Sequence, residues 1–252
     1  MENLDLKEFY EHDFDFNNQW KNYYTDWLFA FKRAIMRRAE DNCFIGLSSG
    51  YDSGAVTKEM TIQKINFKAY VMYNHENVDV IDKRLEYIPE YKKCVMSDSL
   101  WKSYYDFLNG KINDVALADK ASMGVAYMFE TARDEKRTVC ISGQGADEII
   151  SDYALFPKQS TFKGKFPKKL YEWPNFKEHM QREYTNEIEE IAALYDIDVR
   201  YPFLDVDLVQ EFLWLDVKLK NKNYKAPLYE YLKEHYVPFE ENVKRGFRPI
   251  GR

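Results

Sequence analysis

Two short segments gather the groups able to do chemistry. Ser48-Ser49-Gly50-Tyr51-Asp52-Ser53 offers successive backbone N–H groups, hydroxyls at both ends, a glycine for a left-handed turn and a carboxylate. Set between a strand and a helix N-terminus, these are the parts of a phosphate cradle with an oxygen ligand for magnesium. Two other readings fit the same residues. One is an ordinary strand-to-helix turn with Ser53 as N-cap. The other is the nucleophile elbow G-x-S-x-G, matched by Gly46-Leu47-Ser48-Ser49-Gly50. It would make Ser48 a hydrolase nucleophile, with a downstream aspartate and then His179 or His235 completing a triad. The second segment, Ser142-Gly143-Gln144-Gly145-Ala146-Asp147-Glu148, has two glycines that let the backbone approach a ligand, then two carboxylates entering a helix. A serine hydrolase has no use for it, nor for Asp52.

The elements that must position these loops follow from periodicity. Tyr24, Trp27, Leu28, Phe31, Ala34 and Ile35 recur at helical spacing and predict an amphipathic helix over Asn22 to Glu40. Cys43 to Leu47 has the length of a buried strand, with helix from Ser53. Phe67 to Tyr73, Lys93 to Met96 and Thr138 to Ile141 read as further strands. Helical patterns separate them, including the stripe Ala121, Val125, Met128, Phe129 and Ala132. Such alternation predicts an α/β fold, a doubly wound parallel sheet with ligands bound at the carboxyl ends of its strands. Both loops leave strands at that edge. Beyond Tyr153 the pattern is mostly helical, with apolar positions Ile188, Ile191, Ala192 and Leu194, then Leu208, Phe212 and Leu213. With no repeat and one linker-like stretch from Phe156 to Pro174, residues 1–252 read as a single domain, the first 20 an N-terminal extension.

Composition excludes several classes. The chain has 252 residues and a net charge of −6, which argues against general binding to a phosphate backbone and makes nucleic acid a poor partner. Lys158, Lys163, Lys165, Lys168 and Lys169, interleaved with Phe162 and Phe166, are read as a solvated loop before a nucleic-acid patch. Three cysteines, Cys43, Cys94 and Cys140, form no C-x-x-C pair and suggest neither disulfides nor zinc; Cys140 is expected to be a small buried hydrophobe. The histidines lack ligand spacing. No basic n-region or membrane-length apolar run is present, so a cytoplasmic location is expected, with no membrane partner.

Together the two loops resemble those of the asparagine synthetase family, whose PP-loop reads S-G-G-x-D-S and whose second signature reads S-G-E-G-A-D-E. The likeness continues at Val199-Arg200-Tyr201-Pro202-Phe203-Leu204-Asp205, similar to R-x-P-F-L-D. It extends to Lys225, in the place of the K-x-x-L-R lysine, and to Lys244-Arg245-Gly246-Phe247. The motifs keep family order over roughly residues 20 to 250. A PP-loop alone would also suit tRNA-lysidine synthetases, tRNA thiolases or GMP synthetase; the second signature selects this family.

The resemblance implies a PP-loop fold of the adenine nucleotide alpha hydrolase kind with a helical C-terminal part, and a two-step amide synthesis using ATP and Mg2+. A carboxylate, aspartate or an analogue, attacks the α-phosphate to give an acyl adenylate and pyrophosphate, and ammonia or another amine displaces AMP. Asparagine formation is the leading case. A synthetase tailoring a natural product, peptide or nucleobase is the first alternative, the serine hydrolase the second, and a nucleotide-binding partner subunit without catalysis a further one. By the same resemblance Ser48, Ser49, Gly50 and Ser53 hold the phosphates, while Leu47, Val71, Ser142 and Gly143 frame the adenosine. Asp52 and Asp147 ligate magnesium, and Lys225 stabilises charge at the reacting phosphate and acyl carbon.

Departures bear on the amine step. Ser49 replaces the first paired glycine, and Ser151-Asp152-Tyr153 replaces G-G-Y. Gln144 stands where asparagine synthetases carry glutamate and β-lactam synthetases tyrosine, and a neutral amide cannot accept a proton. It can still hydrogen-bond an acyl oxygen or an amine. Asp198, at the place of the glutamate two residues before the motif arginine, is nominated as the remaining general base, with a partner role for Arg200 as its plainer reading. The family's glutaminase half is not expected, since Glu2 follows Met1 and Cys43 is the first cysteine. Free ammonia, a separate glutaminase or an amine-bearing substrate must then supply the nitrogen.

Overall fold

The computed structural model describes residues 12–73, 76–152, 160–179, 185–247 and 249. Most of the N-terminal extension, Tyr153 and Lys158 lie outside these residues, as does the side chain of His179. Five strands form one parallel sheet in the order β3-β2-β1-β4-β5. They are β1 (Cys43–Gly46), β2 (Phe67–Met72), β3 (Tyr91–Cys94), β4 (Val139–Ile141) and β5 (Asp198–Arg200). The chain steps outward from β1 to β3, then returns to build β4 and β5 on the other side of β1. The direction of winding therefore reverses between β1 and β4, and the crevice outside that reversal is where such sheets take ligands.

The helices are α1 (Thr25–Arg38), α2 (Tyr51–Ile62), α3 (Val78–Leu85), α4 (Asp98–Leu108), α5 (Asp114–Ala118), α6 (Lys120–Asp134), α7 (Ala146–Ile150), α8 (Pro174–His179), α9 (Asn186–Leu194), α10 (Val206–Trp214), α11 (Val217–Lys220) and α12 (Ala226–Glu234). Side-chain alternation splits the interior into two cores, one on each sheet face. Cys43, Ile45, Ala69, Val71 and Ile141 join α1, α2, α10 and α12 through Phe31, Val56, Phe212 and Leu228. Phe44, Tyr70, Met72, Cys140 and Val199 join α4, α6 and α9 through Leu108, Phe129 and Ile191. Each large side chain so buried contributes about 1.5–3 kcal/mol. All three cysteines are free and buried, Cys140 included. Among the described residues no helix is long and apolar enough to cross a membrane.

Differences from the periodicity have local causes. α1 starts at Thr25 and not Asn22 because Trp20 and Lys21 donate their amides to Trp214 O, both at 2.9 Å, and Lys21 O accepts from Asp216 N. α2 starts at Tyr51 with Gly50 as N-cap, so Ser53 sits in the first turn. β3 lies two residues earlier than Lys93–Met96, since its register follows β2, Ala69 opposite Tyr91 and Met72 opposite Cys94. It is a charged edge strand exposing Tyr91, Lys92 and Lys93. β5 was hidden by its three-residue length within a helical, charged context. The expected basic tract is exposed at Lys163, Lys165, Lys168 and Lys169, while Phe166 is buried against Trp173 and Phe212.

Candidate functional site

The first loop leaves β1 and enters α2 with its donors already engaged. Ser48 N donates to Ser53 Oγ at 3.0 Å, Ser49 N to Glu76 Oε2 at 2.6 Å, and Gly50 N to Ser48 Oγ at 3.2 Å. The Ser49 hydroxyl also donates to Glu76, at 2.5 Å, which explains a serine at the usual glycine: its side chain turns inward onto a carboxylate. Burial raises the Glu76 pKa. From beneath, Arg84 of α3 fixes the loop carbonyls, with Nη1 donating to Ser48 O at 2.5 Å and Gly50 O at 2.9 Å and Nε to Pro238 O at 2.9 Å. Its guanidinium is fully buried, and burial pushes its pKa down to about 10, so it stays charged. Sequence reasoning passed over both Glu76 and Arg84. A signal existed for the second: Arg84 sits on the apolar stripe Val80, Ile81, Leu85, where a charge needs a buried partner.

The second loop leaves β4 and packs directly on the first. A side chain at Gly143 would place a Cβ 3.1 Å from Asp52 Cβ and 3.2 Å from Ser53 N. Gly145, at φ 92°, is the left-handed N-cap of α7, and a Cβ there would come within 2.4 Å of Leu204. The loops can touch because Gly143 carries no side chain, while Gly145 makes room for Leu204. Asp152, where the resemblance expects glycine, takes φ 46° itself and holds the Phe162 amide and the Ser160 hydroxyl with its carboxylate.

A buried lysine joins the two loops. Lys225 Nζ donates to both Asp52 carboxylate oxygens at 2.6 Å and pairs with Asp147 Oδ1 at 2.8 Å. Lys244 approaches Asp147 Oδ2 at 3.5 Å, and Tyr224 OH donates to Asp147 Oδ1 at 3.0 Å. Lys225 is the N-cap of α12 with φ 48°, a left-handed conformation that costs a non-glycine residue about 1–2 kcal/mol. Burial, and then the neighbouring Asp147 charge, raise the Asp52 pKa against the pull of Lys225. At Asp147 burial works in the same direction, but Lys225 and Lys244 outweigh it and hold the carboxyl below its usual range. Two carboxylates and neighbouring hydroxyls are hard oxygen donors. They suit magnesium, which takes one or two carboxylates and completes its shell with waters and substrate phosphates.

A cavity of about 300 Å³ opens beside the loops, lined by Ser48, Asp52, Ser53, Ser142, Gly143, Gln144 and Asp147. Leu47 and Val71 do not reach it: both are fully buried with the α2-side core, so only their backbone could frame a ligand. Asp198 is not brought there either. It starts β5, at the end of the strand away from the loops, exposed and paired with Arg200 at 2.8 Å. Arg200 also holds Arg38 O at 2.8 Å and Glu40 at 2.9 Å, so the plainer reading of Asp198 is the one its surroundings fit. Ser48 Oγ lies 2.9 Å from Ser53 Oγ, and no histidine among the described residues contacts it; His235 packs on the Tyr231 ring instead. Among the described residues the triad of the hydrolase reading is not assembled, the His179 side chain lying outside them.

Fold and site together define a doubly wound α/β domain whose two loops meet at the strand reversal and are tied by one lysine. The resemblance to the asparagine synthetase family holds: residues 110–197, which include the second loop, match the asparagine synthase family. A relative named "Putative asparagine synthetase (glutamine-hydrolyzing) 1", from Methanocaldococcus jannaschii, is 22% identical over 203 residues, 76% of this chain and 36% of the relative. The chain thus spans about a third of the length of the curated relative it matches. Among solved structures, NMN synthetase from Francisella tularensis aligns over 89% of this chain and 97% of its own, with 11% identity and a TM-score of 0.37.

Proposed function

We propose that the protein forms an amide bond at the expense of ATP through an acyl adenylate, releasing AMP and pyrophosphate. The observation that carries the reading is the Lys225, Asp52 and Asp147 cluster, which ties the loop after β1 to the loop after β4 at the strand reversal. The phosphate chain fits against the N-terminus of α2, where Ser53 and Gly50 border the positive dipole end, with Lys225 and Lys244 as the nearby cations. With the amides of Ser48, Ser49 and Gly50 taken by Glu76 and by serine hydroxyls, phosphate binding rests on the first turn of α2 at Ser53 and on the two lysines. Adenosine is framed by the backbone at Leu47, Val71, Ser142 and Gly143. Asp52 and Asp147 would hold Mg2+, which when bound neutralises charge on the departing pyrophosphate. Lys225 stabilises the negative charge that grows on the α-phosphate as the carboxylate oxygen attacks, and on the acyl oxygen as the amine adds.

Asparagine formation from aspartate and ammonia, free or supplied by a separate glutaminase, is the leading case. Gln144 favours a second reading, a tailoring amide synthetase, because it lines the cavity without an ionisable group to accept the amine proton. The test is direct. Incubation with ATP, magnesium, aspartate and ammonium, then with a panel of other acids and amines, is expected to give AMP and pyrophosphate in equal amounts. Release of ADP and phosphate, or no nucleotide turnover with any pair, would sink the proposal.

A further inference from the structure

The cavity continues past the loops to a wall that the chemistry above leaves without a task. There the N-terminal ends of α6 and α9 come together. Asp119 caps α6, accepting from Ala121 N at 2.9 Å, and Glu187 stands in the first turn of α9 with Oε1 2.6 Å from the buried Ser122 hydroxyl. Ser122 Oγ also lies 2.6 Å from Ala116 O. The single hydroxyl proton is shared between the two acceptors, Ala116 O and the Glu187 carboxylate. Between this acidic end and the loops the wall is apolar, formed by Val125, Met128, Ile188 and Phe247. A third carboxyl on the same cavity, Glu148, is 7% exposed and has an Oε2 with no hydrogen-bond partner. Among the described residues no lysine, arginine or histidine forms an ion pair with Asp119, Glu148 or Glu187, whereas Lys244 and Arg245 belong to the wall beside Asp147.

A cavity with cations at the reacting loops, hydrocarbon along its side and the Glu187 and Asp119 carboxyls beyond is complementary to a zwitterion with an apolar spacer. We propose that the acid activated here is such an amino carboxylate. Its carboxylate faces Lys225 and Lys244, its hydrocarbon spacer lies along Val125, Met128, Ile188 and Phe247, and its ammonium group is held by Glu187 and Asp119. The inference rests on the amide-forming reading and names its acid by class. Aspartate has an ammonium of its own but would bring a second carboxylate to this acidic wall, so the inference favours the tailoring reading over asparagine formation. Burial, opposed by the Ser122 hydrogen bond and helped by the Asp119 and Glu190 carboxylates, raises the Glu187 pKa to about 7. An arriving ammonium lets Glu187 ionise, so its binding releases a proton and tightens as the pH rises through neutrality.

Calorimetric titration of the full chain with 6-aminohexanoate, hexanoate and L-aspartate tests this without ATP. We expect 6-aminohexanoate to bind at least about tenfold more tightly than either of the others, a margin of about 1.4 kcal/mol. Its affinity should rise between pH 6 and pH 8, and Glu187→Gln should remove both the margin and the pH dependence. Asp119→Asn keeps the helix cap and is expected to weaken binding less. If Glu187→Gln fails to fold, the comparison of 6-aminohexanoate with hexanoate on the unaltered protein decides. Equal affinity for the two acids, an unchanged Glu187→Gln variant, or displacement of the probe by adenosine would each overturn the proposal. AMP formation from an acid lacking an amino group would overturn the subsite while leaving the amide-forming reading intact. Tight 6-aminohexanoate binding with no AMP from any substrate pair would do the reverse.

Discussion

At the scale of single residues the site depends on how buried charges are balanced. Lys225 answers two carboxylates at once and does so from a strained backbone. Removing its amine leaves Asp52 and Asp147 side by side, each only about a fifth exposed. Lys225→Met should therefore cost of order 3 kcal/mol, the lower end for a broken buried pair, and abolish AMP formation. Adding Asp52→Asn should recover more than half of the lost stability but none of the activity. Urea unfolding of the two variants measures this, and a double variant no more stable than Lys225→Met would show that repulsion is not the cause. Lys225 was legible in the sequence through its motif alone, since nothing local marks a lysine as buried. Its partners were legible only as loop residues, and their convergence on one ammonium is a product of tertiary placement. Asp198 shows the opposite failure. Its motif position pointed to chemistry, but the residue begins an edge strand and pairs with the arginine two places on.

At the scale of elements, the segment Arg200 to Asp205 works as a bracket. Arg200 ties β5 to the end of α1, Phe203 stacks on Phe31 at 5.4 Å, and Leu204 fills the space that Gly145 leaves empty. Asp205 caps α10 through Asp207 N and Leu208 N, and accepts from Arg38 at 2.5 Å and from Arg37 at 3.2 Å. Its pKa is lowered although burial opposes this, chiefly because Arg38 and then Arg37 favour the charged form. The sign is fixed. A carboxyl whose pKa is depressed on folding gives stability that is complete above its unfolded value near 4 and lost as the pH falls through the folded one. Asp205→Ala should cost about 2 kcal/mol at neutral pH, about 1 of it from the cap. Asp205→Asn should keep the cap and flatten the fall in stability below about pH 4. Thermal melts between pH 3 and pH 7 check both, and an unchanged acid slope in Asp205→Asn would assign that slope to other carboxyls. Periodicity revealed α1, β1, β2 and β4 because each carries a clear apolar run. It misplaced β3 and missed β5, whose positions follow from pairing with a neighbour and not from their own composition.

At the scale of the whole molecule, the alternation of strands and helices was enough to place both loops on one edge of a parallel sheet. What it could not supply was the strand order, hence that β1 and β4 are neighbours, or which helix ends meet across the cavity. Glu187 and Asp119 are 68 residues apart in the chain, and only the packing of α9 on α6 makes them one surface. The sheet itself is unevenly sewn. β1 and β2 share four registered pairs, β2 and β3 four, β4 and β5 three, but β1 meets β4 only through Phe44 opposite Cys140. Hydrogen exchange followed by mass spectrometry should therefore find the amides of β4 opening sooner than those of β2. Equal protection would mean that the helices, and not strand pairing, hold the two halves together. If the seam opens first, the strands that lead to Asp52 and Asp147 belong to two plates able to slide past each other, and Lys225 is the tie that sets how far. Loading the site then becomes a mechanical event as well as an electrostatic one, because a ligand that takes over that ammonium's contacts also resets the width of the groove in which it lies.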